Sequence, residues 1–481
     1  MDRGHRLILL VCLGAGWTTL LDQAILTVNL PAMRASLGAS DATLQWVMAG
    51  YSLTFGLALV PAGRLGDMFG RRAFFAAGIA LFAAGGIAAA CADRAWLVAA
   101  ARLVQGAGAG TVNPQIIGLF QDLFRGKARA RALGAYAAIG GLSASIGPPL
   151  GGLILQLAGP DPGWRLVLLA NLPFALVTIP LALRVLPPGR PSARRTDLDL
   201  PGLLLLGVAT LGAILPLVGT PGGWRWAVLA ALAVAGLVAW ERRYTARGRT
   251  ALLLPALIRS RGYVLGTLVA MCYFGATLAL NLVLSLYLQE DLGLPPLAAA
   301  AMSLPSALGF AAASALGASM VARYGRPGVT VALVAAVAGV GVDAAAVALL
   351  PGRSGSDTAL IVALAAGQLV TGVAGGLVNA PNQALTLEHA PPGANGLSAA
   401  ILQLSQRLAA AVGIAAATAL FLGGAADGRT ALLHGVLLCL GLVLLALVFA
   451  IADRDRPGRD RDRDRPSDET SPHEALEVAR P

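Results

Sequence analysis

Charge is scarce in this chain. Asp, Glu, Lys and Arg make up 13% of its 481 residues, against about 25% in a soluble domain. So little polar surface excludes a water-soluble globule. Lysine is nearly absent, with Lys127 alone among 36 basic residues. Together with heavy use of Ala, Gly and Pro, that points to a GC-rich bacterial genome, a statement about codons and not about chemistry. Cysteine is also sparse. Cys12, Cys91, Cys272 and Cys439 fall in apolar runs without a CxxC pair. They are expected to be small buried apolar residues, neither a disulfide framework nor metal ligands. No G-x-x-x-x-G-K-[ST] loop is present, which argues against ATP-driven pumping by this chain. There is no H-E-x-x-H and no G-x-S-x-G elbow, so no enzyme, cofactor or metal is expected. Gly106, Gly108 and Gly110 mimic a nucleotide loop, but they lie in an apolar run with no βαβ context.

What the chain has is apolar length. It is 57% hydrophobic, with a mean hydropathy of +0.72. Fourteen runs qualify as spans, taking roughly 20 residues as the length needed to cross hydrocarbon. They are 7–30, 43–62, 73–92, 96–120, 133–157, 166–186, 200–218, 226–240, 263–288, 297–321, 329–350, 359–380, 397–422 and 431–452. An all-α membrane protein is the expected class. With a cytoplasmic N-terminus, 28 of the 36 basic residues fall in cytoplasmic segments, as the positive-inside rule requires. The net charge of +11 is then mostly topogenic. The basic residues are scattered over short loops, so no nucleic-acid partner is expected. The first run follows Arg3 and Arg6 like a signal peptide, but it continues past Asp22 to Pro31 without a convincing cleavage site.

Two segments repeat each other. RLVQGAGAGTVN begins at Arg102 and QLVTGVAGGLVN at Gln368. Gly106/Gly372, Gly110/Gly376 and Asn113/Asn379 fall in register. The charge at Arg102 is absent from the second copy, where Gln368 stands. Repeats of this kind build transporters whose site lies at the bilayer midplane. Pairing the fourth span with the twelfth divides the chain into a six-span bundle (1–190), a linker with two inserted spans (191–261), a second six-span bundle (262–452) and a tail (453–481). The tail alternates Asp and Arg and is expected to be disordered. A weaker echo supports the pairing: Phe69-Gly70-Arg71 follows span two and Tyr324-Gly325-Arg326 follows span ten.

The loop after span two reads Gly63, Arg64, Leu65, Gly66, Asp67, Met68, Phe69, Gly70, Arg71, Arg72. An acid between arginines in a tight glycine-rich turn can form charge-assisted pairs with neighbouring helix ends. The segment matches every fixed position of G-x-L-[GA]-D-x-x-G-R-[RK], and here the chain resembles the major facilitator superfamily. The stretch from Leu21 to Pro31 resembles the first-helix motif of the fourteen-helix drug:proton antiporters, departing at Ala24, Thr27 and Asn29. Arg102 to Gly110 resembles their fourth-helix motif with its buried arginine. Gly134, Ser143, Gly147, Pro148, Gly151 and Gly152 resemble their fifth-helix antiporter motif, with Ser143 in place of a usual glycine. Trp164-Arg165, Asn171, Pro173, Tyr287, Gln289 and Pro305 are also similar to this family. Small residues let helix backbones touch, and Pro148 bends its helix.

Intramembrane charges usually line cavities or relays. Asp22 is therefore a candidate proton carrier, Arg102 the cation that modulates it, and Asp343 a further acid that either lines the cavity or snorkels to the outer surface. Arg407 either faces the cavity or anchors near phospholipid. Asn113, Gln115, Asn281, Asn379 and Gln383 are substrate-cavity candidates or interhelical hydrogen-bonding groups. His434 reads as a packing residue. The resemblance implies the major facilitator fold in a 6+2+6 arrangement of fourteen helices, multi-pass in the bacterial inner membrane, with both termini cytoplasmic. It implies proton-driven export of small amphiphilic drugs or antibiotics. Asp22 would be protonated facing out and deprotonated facing in, and the Asp67–Arg71 loop would bias the two states. The partners are a small-molecule substrate, protons and the lipid bilayer, and a monomer is expected. A metabolite or siderophore transporter of the same fold, or a non-transporting receptor or scaffold, are the other readings.

Overall fold

In hydrocarbon a chain must satisfy its backbone groups internally, and an α-helix does so within one segment. The computed structural model of this chain is helical throughout and has no strand among the described residues, which are 3–188, 199–217, 223–249, 255–350, 358–390, 395–422 and 428–453. The first half runs α1 (Arg3–Ile25), α2 (Leu30–Leu37), α3 (Asp41–Phe69), α4 (Arg71–Ala90), α5 (Ala95–Leu123), α6 (Gly126–Ala158), α7 (Pro160–Leu169) and α8 (Leu172–Val185). A hairpin follows, α9 (Leu200–Ile214) and α10 (Gly223–Ala246). After the short α11 (Pro255–Arg259) come α12 (Arg261–Glu290), α13 (Pro296–Ala301), α14 (Leu304–Tyr324), α15 (Arg326–Leu349), α16 (Thr358–Leu387), α17 (Asn395–Leu422) and α18 (Gly428–Ala452).

Twelve stretches are long and apolar enough to cross a membrane. α5 is as long as most of them but less apolar, because Arg102, Gln105, Asn113 and Gln115 interrupt it. α9 is apolar but only 15 residues long. The sequence runs also differ from the helices in detail. Run 7–30 is broken by a 3-10 turn at Leu26–Val28 before α2. Run 166–186 is divided at Ala170 and Asn171, between α7 and α8. The stretch read as a loop from Gly63 is helical through Phe69, and only Gly70 breaks it, at φ 102°. A side chain with a Cβ is strained at that φ. Most of the polar linker ahead of α9 and nearly all of the tail lie outside the described residues.

The sequence repeat is a packing repeat. A Cβ at Gly106 would collide with the backbone carbonyl of Tyr51, and one at Gly110 with that of Phe55, both on α3. In the other half, a Cβ at Gly372 would collide with the carbonyl of Ser306, and one at Gly376 would lie 2.6 Å from that of Phe310, both on α14. Each glycine pair is four residues apart and faces carbonyls four residues apart, so one helical face of each fourth span lies directly on a second span. The prolines follow suit: Pro114 packs on Gly63, and Pro381 packs on Gly317.

α9 and α10 pack on each other, with Gly212 against the Trp226 carbonyl. α9 touches α3 and α17, where the halves meet. Asp199 caps α9 from a left-handed conformation, accepting from Gly202 N at 3.1 Å and from Trp240 Nε1 at 2.7 Å. α10 turns Trp224, Leu232 and Val234 outward, and an apolar rim of this kind suits lipid contact.

Replacement of Gly106 or Gly372 by Leu must push two backbones apart. Each is expected to lower the thermal midpoint of the purified protein sharply or to prevent folding, whereas Gly341→Leu, where a Cβ meets nothing within 4 Å, should leave it nearly unchanged. Equal effects at all three positions would rule out close backbone packing as the meaning of the repeat. Thermal unfolding in detergent followed by size exclusion reads the difference.

Candidate functional site

Asp22 sits on α1, shortly before that helix breaks. Both its side chain and that of Arg102 are 1% exposed. Arg102 Nη1 donates to Asp22 Oδ2 at 2.5 Å and to Gln105 Oε1 at 2.7 Å. Gln105 Nε2 donates to Asp22 Oδ1 at 2.9 Å, and Asn171 Nδ2 donates to the same oxygen at 3.3 Å. Arg102 Nε donates to the Val47 carbonyl at 3.4 Å, and its guanidinium carbon lies 4.3 Å from the Tyr51 ring centre. Both carboxylate oxygens are thus occupied, and the guanidinium lies against an aromatic face. Gln105 and Asn171 complete the centre, although composition alone does not single them out. The signal for Gln105 is its place one turn beyond Arg102 on the same face, and for Asn171 the helix break at which it stands.

The second half places its acid differently. Asp343 on α15 is fully buried and accepts from Gln368 Nε2 at 2.9 Å. Its Oδ1 has no hydrogen-bond partner and lies against Gly367. It does not snorkel to the outer surface, and its side chain does not itself line a cavity among the described residues. Beside it lies a small cavity lined by Tyr273, Thr277, Asn281, Ser306, Gln368 and Thr371.

Arg407, on α17, projects into the first half and not toward lipid headgroups. It donates to Gln23 Oε1 and lies 4.2 Å from the Phe55 ring centre and 5.2 Å from that of Phe274. Asn113 donates to Tyr136 Oη at 2.7 Å. Gln115 takes the interhelical role, donating to the Ala62 carbonyl at 2.7 Å over Gly66. Asn379 and Gln383 are half-buried on α16. His434 is exposed on α18 and is not a packing residue. Of the cysteines, Cys12 and Cys439 are buried, Cys272 is half-buried and Cys91 is exposed.

The glycine-arginine segment forms an ion cluster at one end of the bundle. Arg71 Nη2 lies 2.6 Å from Asp67 Oδ1, and its Nε lies 2.7 Å from Asp122 Oδ2. Gly118 leaves room for that guanidinium. Arg72 donates to the Leu186 carbonyl at 3.5 Å, and Arg64 is buried. Asp122, at the end of α5, is the member that sequence reading missed. In the other half Arg326 pairs with Asp453 and donates to the carbonyls of Gly262 and Leu385. Burial pushes the Asp453 carboxyl up, against the pull of Arg326.

At the opposite end Arg34 bridges Asp41 and Glu290, the latter at 3.0 Å and from the other half. Ser285 donates to the Thr27 carbonyl at 3.3 Å across the same seam. Along α6, a Cβ at Gly147 would lie 2.6 Å from Ala24 Cβ, one at Gly151 would lie 2.8 Å from the Ile25 carbonyl, and one at Gly152 would lie 2.7 Å from the Pro296 carbonyl of the other half. Pro148 lies within α6. Ser143 is buried with its hydroxyl unpartnered, and Gly134 faces open space. Trp164 Nε1 donates to Ser36 Oγ at 3.0 Å, and Arg165 donates to the carbonyls of Ala90 and Ala92, which braces this end.

A family model described as Major Facilitator Superfamily matches residues 12–414 and again 267–480. The chain belongs to that superfamily. It is 36% identical over 337 residues to a probable actinorhodin transporter of Streptomyces coelicolor, covering 69% of this chain and 58% of that protein. The match therefore spans less than two thirds of that relative's length. A puromycin resistance protein of Streptomyces alboniger is 32% identical, covering 85% of this chain and 80% of that protein. A tetracenomycin C resistance and export protein of Streptomyces glaucescens is 30% identical, covering 59% of this chain and 53% of that protein. Among solved structures, an auto-inhibited POT family peptide transporter superposes with a TM-score of 0.68 at 17% identity, over 96% of this chain and 99% of that one. The xylose transporter XylE from E. coli, in a partially occluded inward-open conformation, superposes with a TM-score of 0.65 at 15% identity, over 94% of this chain and 98% of that one. These two show the fold alone. The chain is a multi-pass membrane protein of the Major Facilitator Superfamily, with a buried ion pair in one half and, in the other, a buried acid that has no cation partner among the described residues.

Removing one member of a buried ion pair leaves the other charge uncompensated and costs about 3–5 kcal/mol. Asp22→Asn and Arg102→Gln are each expected to destabilise this superfamily member on that scale. The double variant should regain much of the loss. Denaturant unfolding of all four proteins in detergent gives the coupling energy, and a value near zero would mean that the pair does not tie the helices together.

Proposed function

We propose that this protein is a proton-coupled exporter of small amphiphilic drug-like compounds, working by alternating access in the bacterial cytoplasmic membrane. Fourteen helices in a 6+2+6 arrangement with both termini cytoplasmic remain the favoured topology, resting on the distribution of arginines and on α5 and α9 serving as spans. The names of its relatives, a transporter and two resistance proteins, support export of antibiotic-like cargo.

The observation that carries the proton coupling is the Asp22–Arg102 pair. With its oxygens held by Arg102, Gln105 and Asn171, the charge of a carboxylate at Asp22 is compensated. Any motion that draws α5 away from α1 strands a carboxylate in a low-dielectric interior, at a cost of several kcal/mol. Protonation of Asp22 removes that cost. The state in which the pair is separated therefore binds a proton that the paired state does not, which is the differential affinity coupling requires. Asp343 serves as a second proton site. It has no cation partner among the described residues, and a buried charge without a partner is costly. With a cytoplasmic N-terminus, the Arg34 end faces outward and is closed by contacts between the halves. The Asp67–Arg71–Asp122 cluster then stands at the cytoplasmic end and biases the two states.

Substrate-induced proton release from everted vesicles tests this, with a panel of antibiotics and dyes. Some compound should collapse the pH gradient in wild type and fail to do so in Asp22→Asn. Collapse that survives Asp22→Asn and is lost in Asp343→Asn would move the carrier to the second half. No response to any compound would favour a narrow endogenous cargo or a protein that does not transport.

A further inference from the structure

We infer that Arg407 is an anion receptor at the seam between the halves, and that the cargo is a flat aromatic anion such as a phenolate or an aromatic carboxylate. The inference rests on the export reading above and narrows its substrate class.

Arg407 belongs to the second half, yet its guanidinium lies against the first. It donates to Gln23 on α1 and packs over Phe55 on α3, with Phe274 of α12 at 5.2 Å. α17 comes this close because position 56 is glycine: a Cβ there would lie 3.1 Å from Arg407 Cβ. Among the described residues no carboxylate lies within ion-pair distance of it. A guanidinium offers five N–H donors, and Gln23 takes one of them. Asp22, the neighbour of Gln23 in the chain, is already bound by Arg102, Gln105 and Asn171. The centre of the first half therefore holds two guanidiniums and one carboxylate, a surplus of one positive charge.

A cation held inside a membrane protein without a counter-ion is costly, and a bound anion would neutralise it. The side chain is only half-buried, as are Gln23, Phe274 and Tyr136, so part of the group is left open to a ligand. Its surroundings are aromatic, with Phe55 and Phe274 beside it and Tyr51 next to Phe55 at 6.0 Å between ring centres. A planar fork of donors between ring faces suits a flat molecule with an acidic edge. A lipophilic cation would meet like charge at the same place.

The test uses two dyes on one xanthene frame, fluorescein as the anion and rhodamine 6G as the cation. Fluorescence anisotropy follows their binding to the purified full-length protein in uncharged detergent at pH 8. Wild type should bind fluorescein more tightly than rhodamine 6G. Arg407→Gln should weaken fluorescein about tenfold or more, the scale of a lost charge-assisted hydrogen bond, and Arg407→Lys should retain part of the binding. Size exclusion checks that the variants are folded, and Arg407→Lys keeps the test open if Arg407→Gln is not. Preference for rhodamine 6G, no binding of fluorescein, or fluorescein binding unchanged in Arg407→Gln would each overturn the assignment. The export reading has its own readout. Drug-driven proton release from vesicles without fluorescein binding would remove the anion site and leave export standing. Arg407-dependent fluorescein binding with no transport of any compound would do the reverse.

Discussion

The buried ion pair between Asp22 and Arg102 is the interaction on which the first half depends. Through it and its satellites α1, α3, α5 and the α7–α8 break meet at one point: Asp22 from the first, Val47 and Tyr51 from the second, Arg102 and Gln105 from the third, and Asn171 from the last. In an interior with no water to solvate either charge, each requires the other. The helix break after Ile25 and the break at Asn171 fall beside this centre, where ladder hydrogen bonds give way to side-chain ones. The local irregularities of the half are gathered at its charged residues, and long unbroken helices surround them.

The two halves share their packing and differ in their chemistry. Gly106 and Gly110 lie on α3 as Gly372 and Gly376 lie on α14, and Pro114 and Pro381 each meet a glycine of that same partner helix. Such contacts depend on shape, so both copies keep them. The charge is another matter. At Arg102 the first half has a guanidinium facing an acid from α1; at Gln368 the second has an amide facing an acid from α15. Among the described residues one acid is compensated by a cation and the other is not, so the same helix packing holds two carboxyl groups in different electrostatic settings.

Twelve of the fourteen apolar runs, the repeat and the glycine-arginine segment were legible in the sequence because each rests on composition or on residues close together in the chain. Arg102 facing Asp22 was legible too, since few charges lie in the membrane and those few must find partners. The rest required rotation. A helix that is apolar on every side carries no periodic signal to say which face turns inward, so Gln105 and Asp122 did not stand out, Asn171 stood out as a motif residue but without a partner, and Arg407 was read as facing either a cavity or phospholipid. Its reach across the seam to Phe55 and to Gln23, 384 residues away in the chain, depends on how the two halves dock. The helical extension of α3 through Asp67 was hidden for a different reason: polar residues end a hydropathic run before they end a helix.

The ion pairs at the two ends differ from the central pair in burial, and this sets how much each contributes. Asp41, Asp67 and Asp122 are each about half exposed, with relative side-chain accessibilities of 50–55%. Ion pairs in that setting are each worth about 0–1 kcal/mol, so breaking one shifts a balance of states only modestly. Separating Asp22 from Arg102 with both charged costs several times more. Glycine contacts such as Gly152 against Pro296 add no electrostatic bias; they only permit the halves to meet. A division of labour follows from these magnitudes. The end clusters add little to the cohesion of the bundle, and the buried pair is the contact that most resists separation of α1 from α5.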